Sequence, residues 1–320
     1  MKAISTTIVT LIFIITLALF AQDKIIVNTQ GETLSDETTE KMQVEVLLAK
    51  ERSLYRNIYV SEMNGIRCMR FTKYFREGGG GQAQSCVGLE NMKRLHFQYN
   101  RALMSALFFK PDPKKILIVG LGGGSLSSAI SKILPDTQID VVEIDPAVTR
   151  MAEKYFFFKK SDKLHVHEVD GRVFVKRAAQ RHEKFDIVIL DAFNGEYIPE
   201  HMLTVEYLNE VKSVISDGGV MAANTFSNSK LYNSESVTYN KAFGDFINMK
   251  FSNRIVLWRN GGLPTVQQLE EVSKSFIEAF KPLGINIPAL LEHMHYEKDW
   301  DTSASLLSDQ YSPSNLLNSL

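Results

Sequence analysis

Two cysteines, two tryptophans and nine prolines are all that 320 residues hold of those types. So few cysteines exclude a disulfide-dense scaffold. The 44% hydrophobic and 23% charged residues, with 19 glycines, exclude a collagen-like or wholly disordered chain. Charge of either sign is not in surplus: Lys plus Arg number 36 and Asp plus Glu 37, a net of −1. Without a positive excess nothing favours binding to nucleic-acid phosphate, so no nucleic acid is expected as a partner. No Asn-x-Ser/Thr sequon occurs. The length suits one large domain or two modest ones.

Charge is also missing from the start of the chain. After Lys2, Ala3 to Ala21 contains no charged residue, and Ile8 to Phe20 is almost wholly apolar. A secretory signal has an apolar core of about 7–15 residues, and a membrane-spanning helix needs about 17–25. Residues 1–21 fall between, so the expectation is the secretory pathway, with a cleaved signal and an N-terminal membrane anchor both open. Cys68 and Cys86 lie in two neighbouring extended segments. An oxidising lumen would permit a disulfide between them, and two unpaired thiols remain the alternative.

Residues 22–45 are polar and aperiodic and read as a linker. Short extended segments at 56–60, 65–71 and 85–89, broken by turn residues, predict a small β-hairpin module. Leu95, Tyr99, Leu103 and Leu107 then mark one face of a helix over 91–109, so the module and its leading helix occupy 46–110. From Pro111 strands and helices alternate. Apolar runs at 116–119, 139–143, 164–169, 185–190 and 219–224 are separated by helical stretches. That alternation predicts an α/β fold: a doubly wound, mostly parallel sheet over 111–260 with its ligand at the strands' carboxyl ends. A C-terminal helix and an irregular tail complete the chain at 261–320.

The sharpest motif is GLGGGS, Gly120 to Ser125, between the first strand and its helix. Glycines let backbone approach a ligand, and the helix behind them offers free N–H groups. Neither register of the loop completes a dinucleotide fingerprint, and no lysine supplies a P-loop. Glu143 follows at the end of the second strand, where a carboxylate accepts both hydroxyl hydrogens of a ribose. A glycine loop with a ribose acid and no pyrophosphate signature suits S-adenosylmethionine or a relative of it.

With VVEIDP (Val141 to Pro146), VDGRVF (Val169 to Phe174), DIVILDAFNG (Asp186 to Gly195) and the tail DWDTSASLLSDQYSP, the chain resembles the spermidine synthase superfamily over residues 50–315. It is most similar to the methyltransferase-like branch, where a P-x-H element, here within PEHMLT, follows the strand-four aspartate. The resemblance implies a Rossmann-like, class I methyltransferase fold. It assigns Glu143 to the ribose hydroxyls and Asp170, with Gly171, to the adenine. Gly120, Gly122, Gly123, Gly124 and Ser125 would line the sulfonium side. Asp191 would be the catalytic base. Tyr99, Asn194 and His201 would border the acceptor pocket, and no metal is implied.

Two departures direct the choice of reaction. An aminopropyltransferase of this superfamily holds the amine of decarboxylated S-adenosylmethionine with an acid after the glycine run and its acceptor with another beyond the catalytic aspartate. By the resemblance, Ser125 and Asn194 stand at those places, and the family's Tyr-Gln pair becomes Tyr99-Asn100. Desolvated ammonium ions need carboxylates. The expectation is therefore a methyltransferase using S-adenosylmethionine on an unnamed acceptor, protein or small amine, with a homodimer left open. The alternatives are an aminopropyltransferase using decarboxylated S-adenosylmethionine and a non-catalytic nucleoside-binding protein.

Overall fold

The computed structural model describes residues 26–27, 45–72, 83–193 and 197–312. The leader at 1–21 and Asn194 lie outside the described residues. Among the described residues no helix is long and apolar enough to cross a membrane.

Five antiparallel strands form the first sheet, in sequential order: β1 (Ile26–Val27), β2 (Glu45–Arg52), β3 (Asn57–Met63), β4 (Ile66–Arg70) and β5 (Ala83–Gly88). β1 and β2 were not expected. β2 reads EVLLAKER and lacks alternation, because its side chains are nearly all half-buried between the sheet's two faces. Cys68 and Cys86 stand opposite each other on β4 and β5 and are joined by a disulfide.

The leading helix is two short pieces, α1 (Gln98–Leu103) and α2 (Ala106–Phe109). Ser105 interrupts them: its hydroxyl turns back to the Ala102 carbonyl at 2.6 Å, competing with the helical backbone. The expected apolar face survives the break, with Leu95, Leu103 and Leu107 in the core.

The second sheet has seven strands: β6 (Lys115–Val119), β7 (Gln138–Glu143), β8 (Leu164–Glu168), β9 (Phe185–Leu190), β10 (Ile215–Phe226), β11 (Ile247–Lys250) and β12 (Asn253–Arg259). Their spatial order is β11-β12-β10-β9-β6-β7-β8; the first five in sequence run parallel, and β11 and β12 are antiparallel additions. Helices α3 (Ser125–Ile133), α4 (Pro146–Tyr155), α5 (Gly171–Gln180), α6 (Val205–Ser213) and α7 (Tyr232–Phe243) connect these strands. Helices α8 (Val266–Ser273), α9 (Ile277–Phe280) and α10 (Ile287–Glu292) follow them. Runs such as KILIV and FDIVIL are apolar on both faces because both faces are covered.

Helix starts at the carboxyl edge are capped by residues that also matter for the site. Asp145 accepts from Ala147 N–H at 2.9 Å, with Pro146 at the first helical position of α4, and Asp170 accepts from Val173 N–H at 2.9 Å to start α5. Ile58, Val60, Met69 and Val87 of the first sheet pack on Val148, Met151 and Phe156 of α4 and its end. This apolar contact seats the first sheet over the carboxyl edge of the second.

Candidate active site

The strand order reverses at β6, which lies between its parallel neighbours β7 and β9. Ligands of doubly wound sheets bind at such a switch point. Here Gly120 follows β6 and Asp191 follows β9. Gly120 N–H donates to the Val142 carbonyl at 2.8 Å, and Asp191 N–H donates to the Val119 carbonyl at 2.8 Å, which ties the ends of three strands together. Gly120 has φ +108°, and a Cβ there would lie 2.2 Å from the Asp191 carbonyl oxygen, so no other residue fits.

The two sheets enclose a cavity of about 900 Å³ at this edge, within the range of small-molecule sites. Gly120, Glu143, Asp170, Gly171, Asp191, Tyr99 and His201 all line it, together with Gly122. Gly123, Gly124 and Ser125 do not. Gly124 has φ +73° and faces the Phe158 ring, and Ser125 begins α3 behind the turn.

Glu143 is held by two backbone donors: Leu121 N–H at 3.1 Å and Asp145 N–H at 3.0 Å. Burial raises its pKa despite these bonds, and Arg56 nearby favours the charged form. Asp170 is paired with His201 Nε2 at 3.0 Å, which holds its pKa below the usual value. His201 therefore lines the cavity as the partner of Asp170.

Asp191 is the most perturbed acid of the cavity. Burial raises its pKa to about 7, opposed by a hydrogen bond from Asn224 Nδ2 at 2.8 Å. Tyr99 faces it; burial, then the Asp191 charge, pushes the phenol well above its ordinary pKa. Tyr99 stacks on Phe97 with centroids 5.6 Å apart, and Phe193 meets Phe226 edge-on at 5.2 Å. These four rings give the cavity an aromatic stretch beside Asp191.

Asn224, Arg56 and Phe226 were not foreseen. Asn224 had a signal: Ala223 on β10 pairs with Leu190 on β9, so Asn224 lies beside Asp191 at the same edge. Arg56 sits over the Phe71 ring at 4.2 Å and lines the cavity near Glu143 and Asp145. The carboxylates on the cavity wall among the described residues are Glu45, Glu143, Asp145, Asp170 and Asp191, against the guanidinium groups of Arg56 and Arg70. Arg70 is itself paired with Glu45 at 2.9 Å.

A sheet of this winding, with a glycine turn and acids at its switch point, defines a Rossmann-like α/β fold with a ligand site at its carboxyl edge. Residues 96–257 match the spermine/spermidine synthase domain. The chain is 44% identical over 276 residues to a polyamine aminopropyltransferase of Vibrio vulnificus, covering 85% of this chain and 91% of that protein. It therefore belongs to the spermine/spermidine synthase family and is a transferase. Among solved structures it is similar to a probable spermidine synthase from Corynebacterium glutamicum, with a TM-score of 0.60, 15% identity, and coverage of 81% of this chain and 98% of that one. It is also similar to human methyltransferase-like protein 13 in complex with SAH, with a TM-score of 0.51, 22% identity, and coverage of 65% and 96%.

These relationships overturn the methyltransferase expectation. Both branches share the fold, so the fold does not choose between them. A sequence relative that spans most of both chains is named a polyamine aminopropyltransferase. The expectation leaned on Ser125 as a missing cavity acid, yet Ser125 is not on the cavity wall, and Asn194 lies outside the described residues.

Proposed function

We propose that the protein transfers an aminopropyl group from decarboxylated S-adenosylmethionine to an amine of a diamine or polyamine. The observation that carries this reading is the charge of the cavity wall. With Arg70 and Glu45 paired to each other, Glu143, Asp145, Asp170 and Asp191 stand against Arg56 alone among the guanidiniums of the described residues. Such a wall attracts a donor that carries a sulfonium and an ammonium, and an acceptor with further ammonium groups. The carboxylate of S-adenosylmethionine itself would meet repulsion there.

Glu143 would accept the ribose hydroxyls, fixed by its two backbone donors. Asp170 and Gly171 would meet the adenine, with Asp170 oriented by His201. Gly120 and Gly122 would lie along the sulfonium. Asn100, whose buried Oδ1 has no hydrogen-bond partner among the described residues, offers an acceptor for an ammonium. The aromatic stretch of Tyr99, Phe97, Phe193 and Phe226 suits an alkyl-ammonium chain.

The acceptor arrives as an ammonium and must lose a proton to become a nucleophile. Asp191, with a pKa of about 7, takes that proton. The free amine then attacks the propyl carbon bonded to sulfur. The new C–N bond forms as the C–S bond breaks, and its electron pair leaves on sulfur as neutral methylthioadenosine. The amine nitrogen sheds a second proton to solvent or stays protonated in the product. The protein supplies alignment and exclusion of water, because the sulfonium is already an activated leaving group.

Calorimetry with decarboxylated S-adenosylmethionine and with S-adenosylmethionine tests the reading. The decarboxylated form is expected to bind about tenfold or more tightly, a difference of about 1.4 kcal/mol. Equal affinity, or preference for the carboxylated form, contradicts it.

A further inference from the structure

The Asn224 amide donates to Asp191 from Nδ2 at 2.8 Å. Its other end, Oδ1, is buried with no hydrogen-bond partner among the described residues, and the side chain belongs to a residue only 4% exposed. The hydroxyl of Tyr207, 0% exposed on α6, is in the same condition. Both residues line one small pocket of about 10 Å³ that shares Asn224, Ala192 and Met202 with the cavity, with Leu190 and Tyr239 around it. That volume is about what a single water requires, and the pocket supplies it with polar partners.

We propose that Tyr207 is a positioning residue for Asp191. Its hydroxyl, bridged by one water to Asn224 Oδ1, holds the amide with its NH₂ edge on the carboxylate. The bonds run in one direction. The tyrosine O–H donates to the water, the water donates to Oδ1, and Nδ2–H donates to Asp191. Aligned donors of this kind polarise one another. A flipped amide would set its carbonyl oxygen against the carboxylate and remove the one side-chain bond that opposes the effect of burial on Asp191. Phenylalanine would fill the same core volume, so packing alone gives no reason for a hydroxyl whose burial is costly.

The groups facing this chain are few. Tyr99 of α1 and Asn224 of β10 face Asp191. Tyr239 of α7, Asp170 and Arg172 at the start of α5, and Glu210 on its own helix surround Tyr207. Asp170 is engaged with His201, and Arg172 with Glu210 and Asp309.

The test is the titration of the Asp191 carboxyl by isotope-edited infrared spectroscopy in the wild type, Tyr207→Phe, Asn224→Ala and the double variant. The midpoint is expected to rise by about 0.5 pH unit or more in Tyr207→Phe, because a bond favouring the charged form is weakened. It should rise at least as far in Asn224→Ala and no further in the double variant. In turnover assays Tyr207→Phe should lose about twofold or more in kcat near pH 7, with KM for the donor unchanged and activity recovered at higher pH. The turnover arm rests on the aminopropyl-transfer reading and the titration arm does not. An inactive wild type therefore counts against that reading, whereas an unmoved midpoint in Tyr207→Phe overturns the role of Tyr207. A Tyr207→Phe protein that fails to melt cooperatively assigns the residue to the core alone and also overturns it.

Discussion

Burial and a single amide pull Asp191 in opposite directions, and burial wins. Between its ordinary value of 3.8 and about 7 the folded protein holds a proton that the unfolded chain has released. Its contribution to stability therefore falls as pH rises across that window. Asp191→Asn is expected to lower kcat by about 10²-fold or more, as loss of a general base does. The same variant should be more stable than wild type at pH 8, by about 1–3 kcal/mol, with the difference vanishing near pH 4. Thermal melts at both pH values check the sign; a variant less stable at pH 8 contradicts it. Glu143→Ala should weaken donor binding about tenfold or more, since a charge-assisted bond contributes about 1.5–3 kcal/mol. Unchanged calorimetric affinity in a folded variant removes Glu143 from the ribose. Gly120 and Glu143 were legible in the sequence because they stand at strand ends on the carboxyl edge, whereas Asp170 and Asp191 were reached through the family resemblance; all four line the cavity. Ser125 was misjudged because adjacency to a glycine run does not say which way a side chain points. Asn224 was missed because its neighbour Asp191 is fixed by strand register and not by sequence distance.

The parallel strands were readable from their apolar runs, and the helices from the helical stretches between them. Elements that depend on tertiary contact were not. β2 shows no period because both its faces are partly covered, and the helix expected over 91–109 breaks where Ser105 bonds back to Ala102. The tail looked merely irregular, yet it fastens the site's back wall. Arg172 of α5 donates to Glu210 of α6 at 2.9 Å and to Asp309 Oδ2 of the tail at 2.8 Å, and it reaches the His201 carbonyl at 3.1 Å. Asp309 also accepts from Thr204, the cap of α6, at 2.8 Å. Arg172→Met should therefore cost about 1–3 kcal/mol of stability and loosen the Asp170–His201 pair, because it removes the buried guanidinium that ties Glu210, Asp309 and the His201 carbonyl together by charge-assisted bonds. Denaturant melts and donor affinity together check this; a variant unchanged in both shows that the tail is not a clamp.

The active cavity belongs to the whole molecule, since neither sheet closes it alone. The first sheet supplies Glu45, Arg56, Arg70 and the Cys68–Cys86 bridge, and the second supplies Glu143, Asp170 and Asp191. We propose that residues 1–21 direct the chain out of the reducing cytosol, supported by the uncharged stretch Ala3 to Ala21 behind Lys2 and by the paired cysteines. Cell fractionation should find the full chain exported or membrane-bound and a chain lacking residues 1–21 in the cytosol; a full chain in the soluble cytosolic fraction contradicts it. The reaction itself is read most directly from its products. Purified protein is incubated with putrescine and either decarboxylated S-adenosylmethionine or S-adenosylmethionine, and both the amine product and the nucleoside product are identified by mass spectrometry. The expected result is an amine enlarged by one aminopropyl group, with methylthioadenosine released in equal amount, and only with the decarboxylated donor. A methylated amine formed from S-adenosylmethionine, with no aminopropyl product from the decarboxylated donor, would contradict aminopropyl transfer.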